Sequence, residues 1–188
     1  WDFKANSRVA LAGLYRDYEL CRWFDGEKAW IECYERHNHA LWDLYNHALI
    51  TKEYLMSERF RRPLDEAGSS MTAEYGRLFD GEYLDRLAQC TVLIDGAIEL
   101  LESLRDMGCR IGILSNGFTE VQYRKIRNSG LEPYVDFVVL SDDIGVNKPD
   151  VRIFRHAETV CGADAADCIM IGDNPDTDIA GALNAGWQ

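Results

Sequence analysis

The chain has 188 residues, 47% of them hydrophobic and 28% charged, the make-up of an ordinary globular protein. A formal net charge of −12 argues against a nucleic-acid polymer as partner, because phosphate backbones are held by basic patches. Apolar runs stop far short of the ~20 residues that span a bilayer, and no basic start leads into an apolar stretch, so neither a membrane partner nor a signal peptide is expected.

Residues 1 to about 90 read as helical. A first helix is predicted over residues 3–18. From Glu27 to Leu49 the apolar stripe Trp30, Tyr34, Leu41, Leu44 and Ala48 has helical spacing. Thr51 is a candidate N-cap for a helix running toward Ala67, which Pro63 should kink or split. Gly68-Ser69-Ser70 marks a loop. Two further helical segments are predicted over 72–89, broken at Gly81. Short connections between such helices favour an antiparallel bundle.

Beyond residue 90 the period changes. Gly112–Leu114, Phe137–Leu140 and Ile169–Ile171 read as buried strands, alternating with amphipathic segments over 96–107, 118–129 and 150–160. Asp95 is placed to cap the first of these, and Gly108 and Gly130 sit where helices stop. Such alternation predicts an α/β fold, a parallel sheet with helices on both faces. Cys21, Cys33, Cys90, Cys109, Cys161 and Cys168 are scattered, with no C-x-x-C pair or zinc-type spacing. All six are expected to be reduced and buried, which implies a cytoplasmic protein.

Three segments carry candidate chemistry. IGILSNG ends a strand at Ser115-Asn116-Gly117, where a hydroxyl and free backbone N–H groups make an anion cradle. In GVNKPD, Pro149 suits the first turn of a helix and would aim Lys148. CIMIGDNPDTD delivers Asp173 and, five residues on, Asp178 to a strand's C-terminal edge. Two carboxylates there suit Mg²⁺, which takes few carboxylates and completes its shell with water and substrate phosphate.

The order Ser-Asn, Lys-Pro, Gly-Asp-x4-Asp resembles the second, third and fourth motifs of the haloacid dehalogenase-like (HAD) hydrolase superfamily. The resemblance covers the whole chain: an inserted all-helical cap (residues 1–90) and a Rossmann-like α/β core (91–188). It implies that Ser115, with the backbone at Asn116, binds the transferring phosphoryl oxygens. Lys148 would neutralise charge on the phosphoryl group and nucleophile, Asp173 would coordinate Mg²⁺ directly, and Asp178 would support the metal site. The implied reaction is Mg²⁺-dependent hydrolysis of small phosphorylated metabolites through an aspartyl-phosphate intermediate. Two acidic groups at the fourth motif favour phosphatase over metal-free dehalogenase chemistry. The segments WDFKANSRVALAGLY and ITKEYLMSERF look like the pyrimidine 5′-nucleotidase branch, which implies a nucleoside 5′-monophosphate as substrate. A dehalogenase-type hydrolase and an inactive phosphate- or protein-binding member are the alternatives.

The family's first motif, D-x-D-x-T, which supplies the nucleophile and the acid/base, is absent. On this resemblance a first strand between the Ser115 and Asp173 strands is expected to be missing, as is a final edge strand after Gly186-Trp187. The chain is expected to be an internal piece of a longer polypeptide. Among other residues, Trp23 and Phe24 are expected in the bundle core rather than stacked on a base. His37 and His39 are two apart, a poor metal pair, and His37 is expected to be a hydrogen-bonded core residue. Ser141-Asp142-Asp143 reads as a solvated turn, and Arg59, Arg61 and Arg62 as a charged helix face.

Overall fold

The computed structural model describes residues 1–188, which divide into two compact units, Trp1–Leu93 and Ile94–Gln188. The first is all helical: α1 (Phe3–Asp17), α2 (Glu27–Asn46), α3 (Lys52–Glu66) and α4 (Thr72–Gln89). Asp2 opens α1 by accepting the Ala5 N–H at 2.9 Å, and Thr51 opens α3 by accepting that of Tyr54 at 3.2 Å. An aromatic core fills the bundle. Trp30, Tyr34, Phe60, Phe79 and Tyr83 are at most 1% exposed, with ring centroids 4.6 Å apart for Tyr34–Phe60 and 5.4 Å for Phe60–Tyr83. Phe24 joins this core against Trp30, and the half-buried Trp23 meets Tyr75 edge-on.

The two ends of this unit are clasped together. The Asn6 amide, fully buried, donates to the carbonyls of Asp2 and Val92 and accepts the Val92 N–H at 3.0 Å. The Asp2 N–H adds a bond to the Val92 carbonyl, and the Trp1 indole one to the Cys90 carbonyl.

Several local expectations are corrected. Pro63 lies inside one continuous α3 and does not split it. Residues 72–89 form a single helix through Gly81, because Phe79, Tyr83 and Leu87 keep one buried face running past it. The α2 stripe ends its full burial at Leu41, and Ala48 lies beyond the helix, exposed, at φ +56°. Arg59 is not on a charged surface. It is 2% exposed and paired with Asp80 at 2.5 Å, its guanidinium 5.4 Å from the Tyr83 ring centre. Burial pushes the Asp80 carboxyl above its ordinary range, and Arg59 offsets part of that shift. Arg61 and Arg62 do pair at the surface side, with Glu58.

The second unit runs α5 (Ala97–Asp106), β1 (Gly112–Ser115), α6 (Thr119–Asn128), β2 (Phe137–Leu140), α7 (Ser141–Ile144), α8 (Val151–Cys161) and α9 (Ala180–Asn184). β1 and β2 are parallel, in register from Gly112 opposite Phe137 to Ser115 opposite Leu140. Gly112 lets the Phe137 ring lie over the strand, since a Cβ would enter that ring. Gly181 likewise lets α9 approach Phe154, within a core of Val139, Ile153, Phe154, Ala157, Ala182 and Ala185. The fold class is α/β with a parallel sheet, joined to an all-helical bundle.

Here too the details differ from expectation. Ile169–Ile171 is not a strand, and Ile169 and Ile171 are 68% and 69% exposed. A strand needs a hydrogen-bonded neighbour, and β1 pairs with β2 alone. Met170 nevertheless turns to the core, its N–H donating to the Gln188 carbonyl at 2.8 Å while the Gln188 N–H reaches the Cys168 carbonyl at 3.0 Å. That pair of bonds is one rung of a parallel ladder. Asp95 does not cap α5, whose N-cap is Gly96 in the left-handed region. Pro149 precedes the N-cap of α8 rather than entering its first turn. Gly108 and Gly130 do terminate α5 and α6 with positive φ. Of the cysteines, Cys33, Cys161 and Cys168 are buried and Cys90 is partly so, whereas Cys21 and Cys109 are exposed on connecting segments.

Asp80→Asn should destabilise the helical unit by about 3–5 kcal/mol, because it leaves a buried guanidinium without its counter-charge. Urea unfolding measures this, and adding Arg59→Met should recover part of the loss. At the α8 N-cap, hydrogen bonds from Arg152 hold the Asp150 carboxyl down at about 2, against an ordinary 3.8. Its folded-state pKa is depressed, so its contribution is complete above pH ~4 and lost as pH falls through about 2. Asp150→Ala should therefore cost about 1 kcal/mol near neutral pH. The melting-temperature gap to wild type should close between pH 4 and pH 2.

Candidate active site

Three loops of the α/β unit meet at the C-terminal end of β1. The first carries Ser115, Asn116 and Gly117 directly off the strand. The second, following α7, carries Lys148, whose peptide bond to Pro149 is cis. The third runs from Gly172 into the π-type turn Pro175–Ile179, which Asn174 caps by accepting the N–H groups of Asp176 and Thr177.

Asn116 latches the first loop to the second. Its Nδ2 donates to the Lys148 carbonyl at 2.9 Å and its Oδ1 accepts the Lys148 N–H at 2.8 Å. Lys148 then ties both to the third. Its Nζ donates to the Leu114 carbonyl at 2.8 Å and to Asp178 Oδ1 at 2.6 Å. Asp178 Oδ2 accepts the Asn174 N–H at 3.2 Å. Asn116, Lys148 and Asp178 are only 9%, 7% and 5% exposed, so this polar chain is internal to the unit. Gly172 makes room for it, since a Cβ there would strike the Asp178 carboxylate.

Two donors remain uncommitted in this lattice. An ammonium has three N–H groups, and Lys148 spends two. The partly buried Ser115 Oγ accepts from the Gly117 N–H at 3.0 Å and from Gln122 Nε2 at 2.8 Å. With both lone pairs engaged, its hydroxyl hydrogen is left to donate. Gln122 was not foreseen from sequence. It stands on the first turn of α6, seven residues past the serine, and only Gly117 lets it come so close.

Ser115, Asn116, Lys148 and Asp178 are thus linked by hydrogen bonds or by adjacency in the chain. Asp173 stands apart from this lattice. It is exposed, one residue from Gly172, and its carboxylate has no hydrogen bond or ion pair. Asp142 and Asp143 are engaged otherwise than as a solvated turn. Asp142 accepts the Thr119 N–H and Asp143 the Thr119 hydroxyl, anchoring the start of α6. A hard cation fits the donor set through Asp173, the open carboxylate, with Asp178 holding the loop that presents it.

Comparison with known proteins gives the family. The haloacid dehalogenase-like hydrolase model matches residues 14–186, and the chain belongs to that family. It is 31% identical to the pyrimidine 5′-nucleotidase YjjG of Escherichia coli over 98% of this chain and 78% of that protein. It is 30% identical to the pyrimidine 5′-nucleotidase PynA of Streptococcus pneumoniae, over 98% of this chain and 76% of that protein. The HAD-hydrolase YfnB of Bacillus subtilis, solved bound to magnesium, superposes with a TM-score of 0.89 at 29% identity, covering 100% of this chain and 81% of that one. No helix of this chain is long and apolar enough to cross a membrane.

Lys148→Met should destabilise the α/β unit by about 3–5 kcal/mol, since it leaves the buried Asp178 carboxylate without its counter-charge. Chemical denaturation would register this without any reference to activity. An unchanged midpoint would mean that the pair bears no weight in the fold.

Proposed function

We propose that this chain carries the phosphate- and metal-binding machinery of a Mg²⁺-dependent phosphomonoesterase, with nucleoside 5′-monophosphates as its substrate class. The observation that carries the reading is the Lys148–Asp178 ion pair, which fixes an ammonium with a spare N–H on the carbonyl of Leu114, one residue before Ser115 and its uncommitted hydroxyl hydrogen. Two spare donors on neighbouring loops suit the equatorial oxygens of a phosphoryl group, whose transfer depends on positioning and charge neutralisation. The names of the two nucleotidase relatives support the substrate class.

In this reading Lys148 holds one phosphoryl oxygen and offsets charge as it builds. Ser115 donates to a second oxygen, and Asn116 fixes the loop spacing on which both depend. Gln122 positions the Ser115 hydroxyl. Asp173 holds Mg²⁺ directly and Asp178 supports it. Bound there, Mg²⁺ would supply positive charge to the substrate phosphate. The helical unit acts as the cap that selects the leaving group. The D-x-D-x-T nucleophile motif does not occur between Trp1 and Gln188, so the turnover test uses a polypeptide with that motif fused ahead of Trp1.

With p-nitrophenyl phosphate and a pyrimidine 5′-monophosphate as substrates, that polypeptide should turn over only without EDTA. Asp173→Ala should lower kcat by at least about 10²-fold with an unchanged circular dichroism spectrum. EDTA-resistant turnover, or wild-type rates for Asp173→Ala, would remove the metal from the reaction.

A further inference from the structure

A second cluster of ligating groups lies in the helical unit. Cys33 and His37 are four residues apart on α2 and so share one face of the helix. Glu66 ends α3, which packs beside α2. One ligand atom from each of the three can be chosen so that all lie within 4.8 Å of one another. His37 Nε2 is 2.8 Å from Glu66 Oε2, and Cys33 Sγ is 3.8 Å from Glu66 Oε1. A tetrahedral zinc with bonds of ~2.0–2.3 Å holds its ligands about 3.5 Å apart, and the three groups already stand near that spacing. His39 points away from this face, as its two-residue spacing from His37 requires; the partner of His37 is the cysteine one turn back.

We propose that Cys33, His37 and Glu66 form a binding site for a borderline transition-metal cation, with Zn²⁺ the best match. One sulfur, one imidazole nitrogen and one carboxylate oxygen form a ligand set for zinc rather than magnesium, which prefers oxygen alone. A second observation comes from Arg36. Its guanidinium bridges the same atoms, 3.6 Å from Cys33 Sγ and 2.7 and 2.9 Å from the two Glu66 oxygens. The spot already seats a positive charge. Arg36 and Glu66 side chains are 59% and 48% exposed, so the guanidinium can swing into water as a metal replaces it. Beside the cluster a cavity of about 420 Å³, lined by Cys33, Glu66, Asp25 and Trp23 among others, gives access and room for an exchangeable fourth ligand. Binding converts the Cys33 thiol to a metal-bound thiolate and releases its proton to solvent. This site shares no residue with the phosphate-binding lattice.

Co²⁺ titration of the reduced chain tests the proposal. In millimolar Mg²⁺, which occupies the Asp173 position, saturation at one equivalent of Co²⁺ is expected, with visible d–d bands and a near-ultraviolet sulfur-to-cobalt charge-transfer band, both bleached by Zn²⁺. Cys33→Ser should abolish the charge-transfer band. Outer-shell partners alone are worth about 10–100-fold in affinity, so Cys33→Ser and His37→Gln should each weaken binding at least about tenfold. Arg36→Met should tighten it, which a merely misfolded variant would not do. Asp173→Ala should leave the titration unchanged. No bands at equimolar Co²⁺, or a charge-transfer band that survives Cys33→Ser, would overturn the assignment.

Discussion

The buried Lys148–Asp178 ion pair is the constraint on which the site depends. An isolated ammonium or carboxylate at 7% or 5% exposure would be strongly disfavoured; each is tolerated because the other lies 2.6 Å away. The neighbourhood is shaped around that bond. Gly172 leaves it space, the Leu114 carbonyl takes a second proton of the ammonium, and the Asn174 N–H occupies the carboxylate's other oxygen. Because Leu114, Lys148 and Asp178 sit on three different segments, the pair sets the spacing of all three loops. Asn116 reinforces it with a reciprocal amide bond between the first and second. Preorganisation here is structural: the donors are held by interactions that the fold requires for its own stability.

The helical unit uses the same device differently. Arg59 and Asp80 are buried among rings, and Ser7 meets the Tyr83 hydroxyl at 2.8 Å. Such polar groups inside an aromatic core cost desolvation, and they gain one arrangement of α1, α3 and α4 over others that would bury the rings equally well. The Asn6 clasp does for the ends of the unit what the ion pair does for its centre. It joins segments 86 residues apart through a single side chain.

What the sequence made legible follows from the range of each interaction. Helix periodicity, the period change near residue 90 and the glycine stops are local, and they appear in the structure almost where the pattern puts them. Ser115, Lys148 and Asp178 could be read because each falls at a break between an apolar run and a helix. What escaped was set by distant partners. Arg59 looks like a surface residue beside Arg61 and Arg62 until Asp80, 21 residues on, brings it inside. Gln122 has no signal of its own, since its role arises only when α6 folds back over Gly117. The apolar run at Ile169–Ile171 is strand-like in composition, but strand formation belongs to a pair of segments and not to one. Cys33 and His37 could have been paired by spacing alone, whereas Glu66, the third ligand, required the α2–α3 packing.

On the proposed reading, the charge balance of the site also accounts for how a chain of net charge −12 accepts an anionic substrate. Lys148 offsets charge where it touches a phosphoryl oxygen, but with Asp178 beside it the pair adds no net positive charge to the site. Asp173, exposed and without a cationic partner, leaves the site negative. A phosphate monoester, itself carrying close to two negative charges at neutral pH, would be repelled by that carboxylate. A divalent cation at Asp173 reverses the sign at a point where the local field opposes binding. The same residues therefore predict an ordered dependence: substrate affinity should follow cation occupancy, because without the cation the site has hydrogen-bond geometry for a phosphate and the wrong charge.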